Sequence, residues 1–599
     1  MMRPSEGKEF LTRMPAVYAR LTLVIAVLSL AIACGPTAPA APTTAPAPAT
    51  KAPAAAAPTT APTASAAQAP ASTTAPAAAL PADAAPQQTL RMVIGGFGSQ
   101  EPLAPWSVRW GGQDVGAYEF LGPVYHDVDF NVRPMLARSI TPNADFTVWT
   151  INLDSRAVWS DGAKVTAKQV KEAWEWVTLP EQKTSNITGF ALSDAKGFKD
   201  VADGKAQEIS GLVVKDDATL EVQLNGPDRF LDHKFGIYYM GVVPVDKLKA
   251  DPQYLTKPNP VVNGPYQVTQ IDATGRQIVL TPNPRWWGEK PLIQRIEVTI
   301  AEEASALEVL VEKGQADFAY SFADIATRRK LVGRTPGASE LAYKLPVGIY
   351  ASFHWNVPPV DDLNVRKALM HAIDFKSLTE VATDNTADVW YGVSPPGMLN
   401  GCYNAENASY FQFDAANAKQ ELQASKYGSA EKLGKLRITP NTTGVPQNKA
   451  FQIMQEMWRT NLGITDIDLK PQPAGFGADE KSINVDRQSI AARPPDEGLW
   501  ITQFRSSGIH ATRFMAGYKN DALDKISDQI TAMDRKDPNF CKTVQQAEKL
   551  LLDDYMLIPL WRTEGDFGIV QSWTKNLKIN PWLVPYGFFE PPFVYVAKH

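Results

Sequence analysis

An α/β protein of several domains is the fold this sequence predicts, and three observations carry the expectation. The chain has 599 residues, more than one hydrophobic core sustains. Hydrophobic residues make up 44% and charged residues 21%, an ordinary globular composition. Strand-type alternation and helix-type spacing succeed one another from about residue 87 onward. The formal net charge of −5 argues against a nucleic-acid binder held by phosphate contacts. Three Cys and six His leave little room for a thiolate metal site or a dense disulfide framework.

The N-terminal segment bears on location. Leu21–Ala33 (LTLVIAVLSLAIA) is an apolar run led by Arg20. It is too short for a membrane span, which needs ~20 residues, but suits the core of a signal peptide. Met1 and Met14 are both open as the start. Ala31 and Ala33 precede Cys34 directly, the pattern of a bacterial lipobox, in which Cys34 becomes the lipid-bearing N-terminus of the mature chain. A plain secretory signal with an incidental Cys is the alternative. The expected organisation is a lipoprotein signal peptide over 1–33 and a disordered tether over 34–86. Residues 35–86 contain 24 Ala, 12 Pro and 9 Thr, and their only charges are Lys51 and Asp83. Such a segment has almost nothing to bury and cannot offset its ordering entropy.

In the body, Leu90–Gly95 (LRMVIG) reads as the opening strand. The glycines after it do not form a phosphate loop, since Pro102 and Pro105 stand where a helix would begin. Phe146–Leu153 alternates as a strand. Asp161-Gly162 marks a turn, Thr166 caps a helix, and Gln169 completes a capping box. Val170, Ala173, Trp174 and Val177 then share one helical face. Asp374 caps a helix beginning at Phe375. Cys402 and Cys541 are either one disulfide, as export favours, or two separate buried thiols.

The run Ala137–Trp174 resembles the signature stretch of family 5 extracellular solute-binding proteins, the oligopeptide, dipeptide and nickel receptors of ABC importers. Ser155-Arg156 departs from the family's basic-Gly pair, and Gln169 replaces the usual acid. Further similar pieces follow in order: Asn263-Gly264-Pro265-Tyr266, Asn283-Pro284-Arg285-Trp286-Trp287-Gly288, Ala304–Phe318, Asp362–Asp374 and Ala547–Arg562. The resemblance implies a two-lobed periplasmic-binding-protein-like fold with an inserted domain and a hinge between lobes. Domain I is expected over 87–122, 225–347 and 565–599, domain II over 123–224, and domain III over 348–564. Strands near Ala351–Trp355 and Leu557–Trp561 are expected to cross the hinge. Most motif residues read as scaffold, Arg366 included.

The resemblance also implies the function: a receptor that closes over a small solute, foremost a peptide, and presents it to a membrane permease and ATPase. An oligosaccharide or another solute is the alternative. The chain is expected to be a monomer, exported and lipid-anchored at the outer face of the cytoplasmic membrane or periplasmic, with no cofactor. Candidate ligand residues are Trp106 and Trp110 after the first strand, Trp390 and Tyr391 in a Pro-Gly-rich loop, and Trp500, Phe504 and Arg505. Aromatics stack on sugars or pack peptide side chains, and Arg505 suits a carboxylate. In the family, peptide binders carry an Asp shortly after this Trp to meet the peptide amino terminus. Here Thr502, Gln503, Phe504 and Arg505 follow Trp500, no acid follows until Asp521, and Asp496 lies before the Trp instead. No G-x-S-x-G, H-E-x-x-H or P-loop string appears, and His126, His233, His354, His371, His510 and His599 lack metal-ligand spacing. No enzyme and no metal site are expected. An envelope hydrolase or a structural lipoprotein remains as a different class.

Overall fold

The computed structural model describes residues 79–95, 103–106, 112–127, 129–182, 188–301, 303–320, 325–440, 445–470, 482–491, 496–508, 510–579, 585–586 and 593–599. The apolar leader, Cys34, most of the tether and Trp110 lie outside them. The main strands in chain order are β1 (Thr89–Gly95), β2 (Val124–His126), β3 (Val132–Pro134), β4 (Ala137–Pro142), β5 (Val148–Leu153), β6 (Leu212–Asp216), β7 (Thr219–Gln223), β8 (Tyr266–Ile271), β9 (Gln277–Pro282), β10 (Arg295–Ala301), β11 (Phe318–Tyr320), β12 (Ala338–Phe353), β13 (Leu436–Thr439), β14 (Ile467–Leu469), β15 (Val485–Ala491) and β16 (Leu557–Gln571).

Ten of them form one mixed sheet in the order β14-β13-β15-β12-β16-β11-β1-β10-β9-β8, and a smaller sheet runs β4-β5-β7-β6. β1 shows how the sequence builds two layers. Leu90, Met92 and Ile94 enter the main core, while Val93 joins a second cluster with Leu307, Val311, Leu331 and Ile569. Alternation along a strand sends successive side chains to opposite faces, so both faces of β1 are covered.

β12 and β16 pair antiparallel from Ala338↔Gln571 to Ser352↔Leu557. On one side lie β11, β1, β10, β9 and β8; on the other lie β15, β13 and β14. This crossing ribbon is longer than the segments read from the sequence, because both strands continue toward the first half of the sheet. Register irregularities at Leu341/Ala342, Ala342/Pro346 and Ile349/Tyr350 bend it; Pro346, which has no N–H to give, falls at one of them.

In the smaller unit, the Thr166 side chain accepts from Gln169 N, and the Gln169 side chain returns a bond to the Thr166 backbone. The helix Ala167–Thr178 buries Val170, Ala173, Trp174 and Val177, the face that its periodicity predicts. β5 begins two residues later than its alternation suggests. Asn143 Oδ1 accepts from Thr147 N and Val148 N, and the resulting turn holds Phe146 at φ 57°. The tether also ends earlier than expected: Ala85 N donates to Val596 O and Lys598 N to Asp83 O, so residues 83–85 are already tied to the C-terminal strand.

The Asn263–Tyr266 motif is explained by Glu119. Asn263 N and Gly264 N both donate to Glu119 O, and Val268 N donates to Glu119 Oε1 at 2.7 Å. A Cβ on Gly264 would meet Tyr118 O at 2.2 Å, so only glycine fits. Burial raises the Glu119 carboxyl to about 8. The folded state therefore keeps a proton that the unfolded state releases. Stability is expected to fall as pH rises from 4.5 to about 8, by up to about 1.4 kcal/mol per pH unit. Urea melts of Glu119→Gln across this range should lack that fall; parallel profiles for the two chains would refute the assignment.

Among the described residues no helix is long and apolar enough to cross a membrane.

Candidate functional site

Asp496 caps the short helix Glu497–Ile501 by accepting from Leu499 N at 2.9 Å, and a single 3₁₀ turn, Thr502–Phe504, follows. These turns bring Trp500 and Phe504 onto one side, with ring centroids 4.9 Å apart. His510 completes the cluster at 4.7 Å from both rings, and its Nδ1 lies 2.9 Å from the Tyr350 hydroxyl of β12. Burial pushes the His510 imidazole down to about 3, so it packs neutral. Trp500 and Phe504 are 5% and 0% exposed: they wall the junction of the crossing strand with the second half of the sheet.

The loop from Trp390 to Cys402 meets this wall. The Trp500 indole donates to Val393 O at 3.1 Å. Glu548, buried on the helix Phe540–Asp553, accepts from Val393 N and Ser394 N at 2.5 and 2.9 Å. A Cβ on Gly392, at φ 140°, would lie 2.8 Å from that carboxylate. Glu497 accepts from Asn400 N and Cys402 N, each at 3.0 Å. Burial pushes both carboxyls up, against those backbone bonds. Cys402 and Cys541 form a disulfide with Cα atoms 4.8 Å apart. Arg562 of β16 donates to Pro396 O at 3.2 Å. The loop is thus fixed to a helix, a crossing strand and the Trp500 segment together.

Trp390 is buried over Gly348 of β12, where a Cβ would meet its ring at 2.9 Å. Tyr391 is half-buried and stacks on Phe411 at 5.9 Å. Trp106 is buried, edge-on to Trp176 at 5.5 Å, in the other part of the molecule. Large rings close gaps between elements better than shorter side chains do, which is why these candidates sit in walls. Asp496, considered as an amine partner, is fully buried and paired with Arg535 at 2.9 Å. Arg366 is buried and held by Val360 O, Asp554 O and the Trp355 ring, a structural role.

Arg505 does not stand open toward a solute. One of its nitrogens, Nη2, lies 2.7 Å from each oxygen of Asp194, a residue of the segment joining the helix Gly189–Leu192 to the smaller sheet. Lys234 Nζ is 4.0 Å from Asp194 and 2.5 Å from Asp228. Burial pushes the Asp194 carboxyl up, but Lys234 and Arg505 outweigh it and hold it below the usual carboxylate range. The same seam is extended by Arg229 N donating to Thr531 O at 3.1 Å, by the Arg229 guanidinium on Met533 O, and by Arg535 over the Phe230 ring at 5.3 Å. Asp194, Asp228 and Lys234 were not legible as site residues: Asp194 is 311 positions from Arg505, and no spacing rule links them.

Among the described residues no three His, Cys, Asp or Glu side chains gather as a metal site. His126 and His233 do approach, Nε2 to Nδ1 at 3.3 Å, and burial pushes both imidazoles down.

A ten-stranded mixed sheet crossed by the long β12–β16 pair, with a smaller four-stranded sheet beside it, is the α/β frame that carries the Trp390–Cys402 loop and the Arg505–Asp194 pair. The chain belongs to the bacterial extracellular solute-binding proteins of family 5, whose middle region matches residues 131–508. It is 26% identical to the periplasmic murein peptide-binding protein MppA of Escherichia coli, over 80% of this chain and 88% of that protein. It is also 26% identical to the periplasmic oligopeptide-binding protein OppA of Salmonella typhimurium, over 80% and 87%. Among solved structures it shares its fold with the Escherichia coli murein tripeptide-binding protein MppA, at TM-score 0.70 and 22% identity over 86% of this chain and all of that one. Listeria monocytogenes OppA bound to peptide is similar at TM-score 0.66 and 21% identity, with the same coverage.

Proposed function

We propose that this chain is the extracytoplasmic receptor of an ABC importer, capturing a peptide-like solute between its lobes and delivering it to a membrane permease and ATPase. The family match over residues 131–508 carries the reading, since it spans both the smaller sheet and the Trp500 segment. Relatives named for oligopeptides and murein peptides support the solute class. Capture makes and breaks no bond: a solute with more contacts in the closed form shifts the population toward closure. We assign one lobe to 87–122, 225–347 and 565–599 with 123–224 inserted, and the other to 348–564. The site lies between them, beside Arg505 and the Trp390–Cys402 loop, with Trp500 and Phe504 as its supporting wall.

Thermal-shift screening of short peptides against oligosaccharides tests the solute class. A peptide at a hundred times its dissociation constant adds about 2.7 kcal/mol to stability. Stabilisation by oligosaccharides alone would overturn the peptide reading.

The receptor works as a monomer held to the membrane through lipid on Cys34, with residues 35–82 as a tether. Cys34→Ser is expected to move the protein from the detergent phase to the aqueous phase while its melting curve stays the same. Retention in the detergent phase would end the lipoprotein reading.

A further inference from the structure

We propose that Asp194 and Arg505 form a solute-independent latch, positioning residues that hold the two lobes together before any solute is bound. The proposal rests on the two-lobe reading given above. Asp194 belongs to the unit of the smaller sheet, and Arg505 to the half of the large sheet beyond β12.

The charge balance is the first argument. Asp194, Asp228 and Lys234 sit on one side and carry a net −1. Lys234 is committed to Asp228 at 2.5 Å and reaches Asp194 only at 4.0 Å. Asp194 therefore completes its pairing across the seam, through both oxygens at 2.7 Å from Arg505. Among the described residues Arg505 makes no other ion pair. Their side chains are 27% and 18% exposed, so water screens the pair less than it screens a surface pair. Charge-assisted bonds of this length are the strong kind.

The second argument is the surrounding seam. Arg229 N bonds Thr531 O, and Arg535 covers Phe230, so the ion pair lies in a backbone and ring contact that aligns it. Separation of the lobes would leave Asp194 with a partly engaged lysine and take from Arg505 the carboxylate it bonds directly, leaving it only the more distant charge of Asp528 on its own side. The latch adds a constant increment to the closed form, and a protein that is more often closed binds any closing solute more tightly by the same factor.

The experiment needs no solute. Spin labels on Lys199→Cys and Lys525→Cys, both exposed and on opposite sides of the seam, report lobe separation in the full-length chain carrying Cys34→Ser. Asp194→Asn and Arg505→Gln are each expected to lower the closed-to-open ratio about tenfold, the equivalent of about 1.4 kcal/mol. The double variant should be no more open than either single one. Raising the salt concentration should open the unsubstituted chain in the same direction. Glu456→Gln, which breaks an exposed pair with Arg459, should change nothing. Unchanged distances in both single variants, additive effects in the double variant, or an unsubstituted chain that is fully open would each overturn the latch. A chain that responds as expected yet is stabilised by no peptide confirms the latch and overturns the peptide reading instead.

Discussion

Replacing Cys402 and Cys541 together by serine is expected to lower the stability of the body by about 5 kcal/mol in the chain-entropy description of a cross-link. The bond joins residues 139 positions apart, so its loss frees a long loop in the unfolded chain. That loop contains β13, β14, β15 and the Trp500 segment. The native geometry around the bond is shared by other restraints. Cys402 N is held by Glu497 at 3.0 Å, and the Gln545 side chain donates to Cys402 O at 2.9 Å. The serine variant should therefore keep its fold at moderate temperature and lose its margin against denaturant. Urea midpoints with and without reductant measure this: reductant should reproduce the variant in the parent chain and leave the variant unaffected. Two alkylatable thiols in the unreduced, denatured protein would show that the bond is not formed.

What was legible in the sequence were the features that short-range rules govern. The capping box at Thr166 and Gln169, the apolar face of the helix it starts, and the β1 strand depend on neighbours within one or two turns. The N-cap at Asp374 is of the same kind, with its side chain accepting from Ser377 N at 3.1 Å. Errors arose where a side chain overrides alternation, as Asn143 does at the start of β5, and where distant segments meet, as residues 83–85 do with the C-terminal strand. The candidate site was harder to read for the same reason. An aromatic residue looks alike in sequence whether it faces a solute or fills a wall. What separates the two is the partner of its polar edge, and for Trp500 that partner is Val393 O, 107 positions away. The charge of Arg505 marks it in the sequence, while the acid that holds it lies 311 positions away and carries no local mark.

The second large effect concerns that tryptophan. Trp500→Ala is expected to cost about 3–5 kcal/mol, the range for removing a large ring from a packed core. The ring is in contact with Phe504 and His510 at centroid distances of 4.9 and 4.7 Å, and its truncation leaves a cavity among rigid neighbours. It also strips Val393 O of its buried donor, while Glu548 still holds Val393 N. Trp500→Phe separates these contributions. Phenylalanine keeps most of the volume and loses the N–H, so it should cost about 1–3 kcal/mol, the penalty of one unsatisfied buried group. Denaturant midpoints give both values. If Trp500 were instead an exposed platform for solute, alanine would leave the midpoint within about 0.5 kcal/mol of the parent and abolish binding alone. A supporting wall predicts the reverse order: stability falls first, and affinity falls with it in proportion as the Trp390–Cys402 loop loses its fixed position.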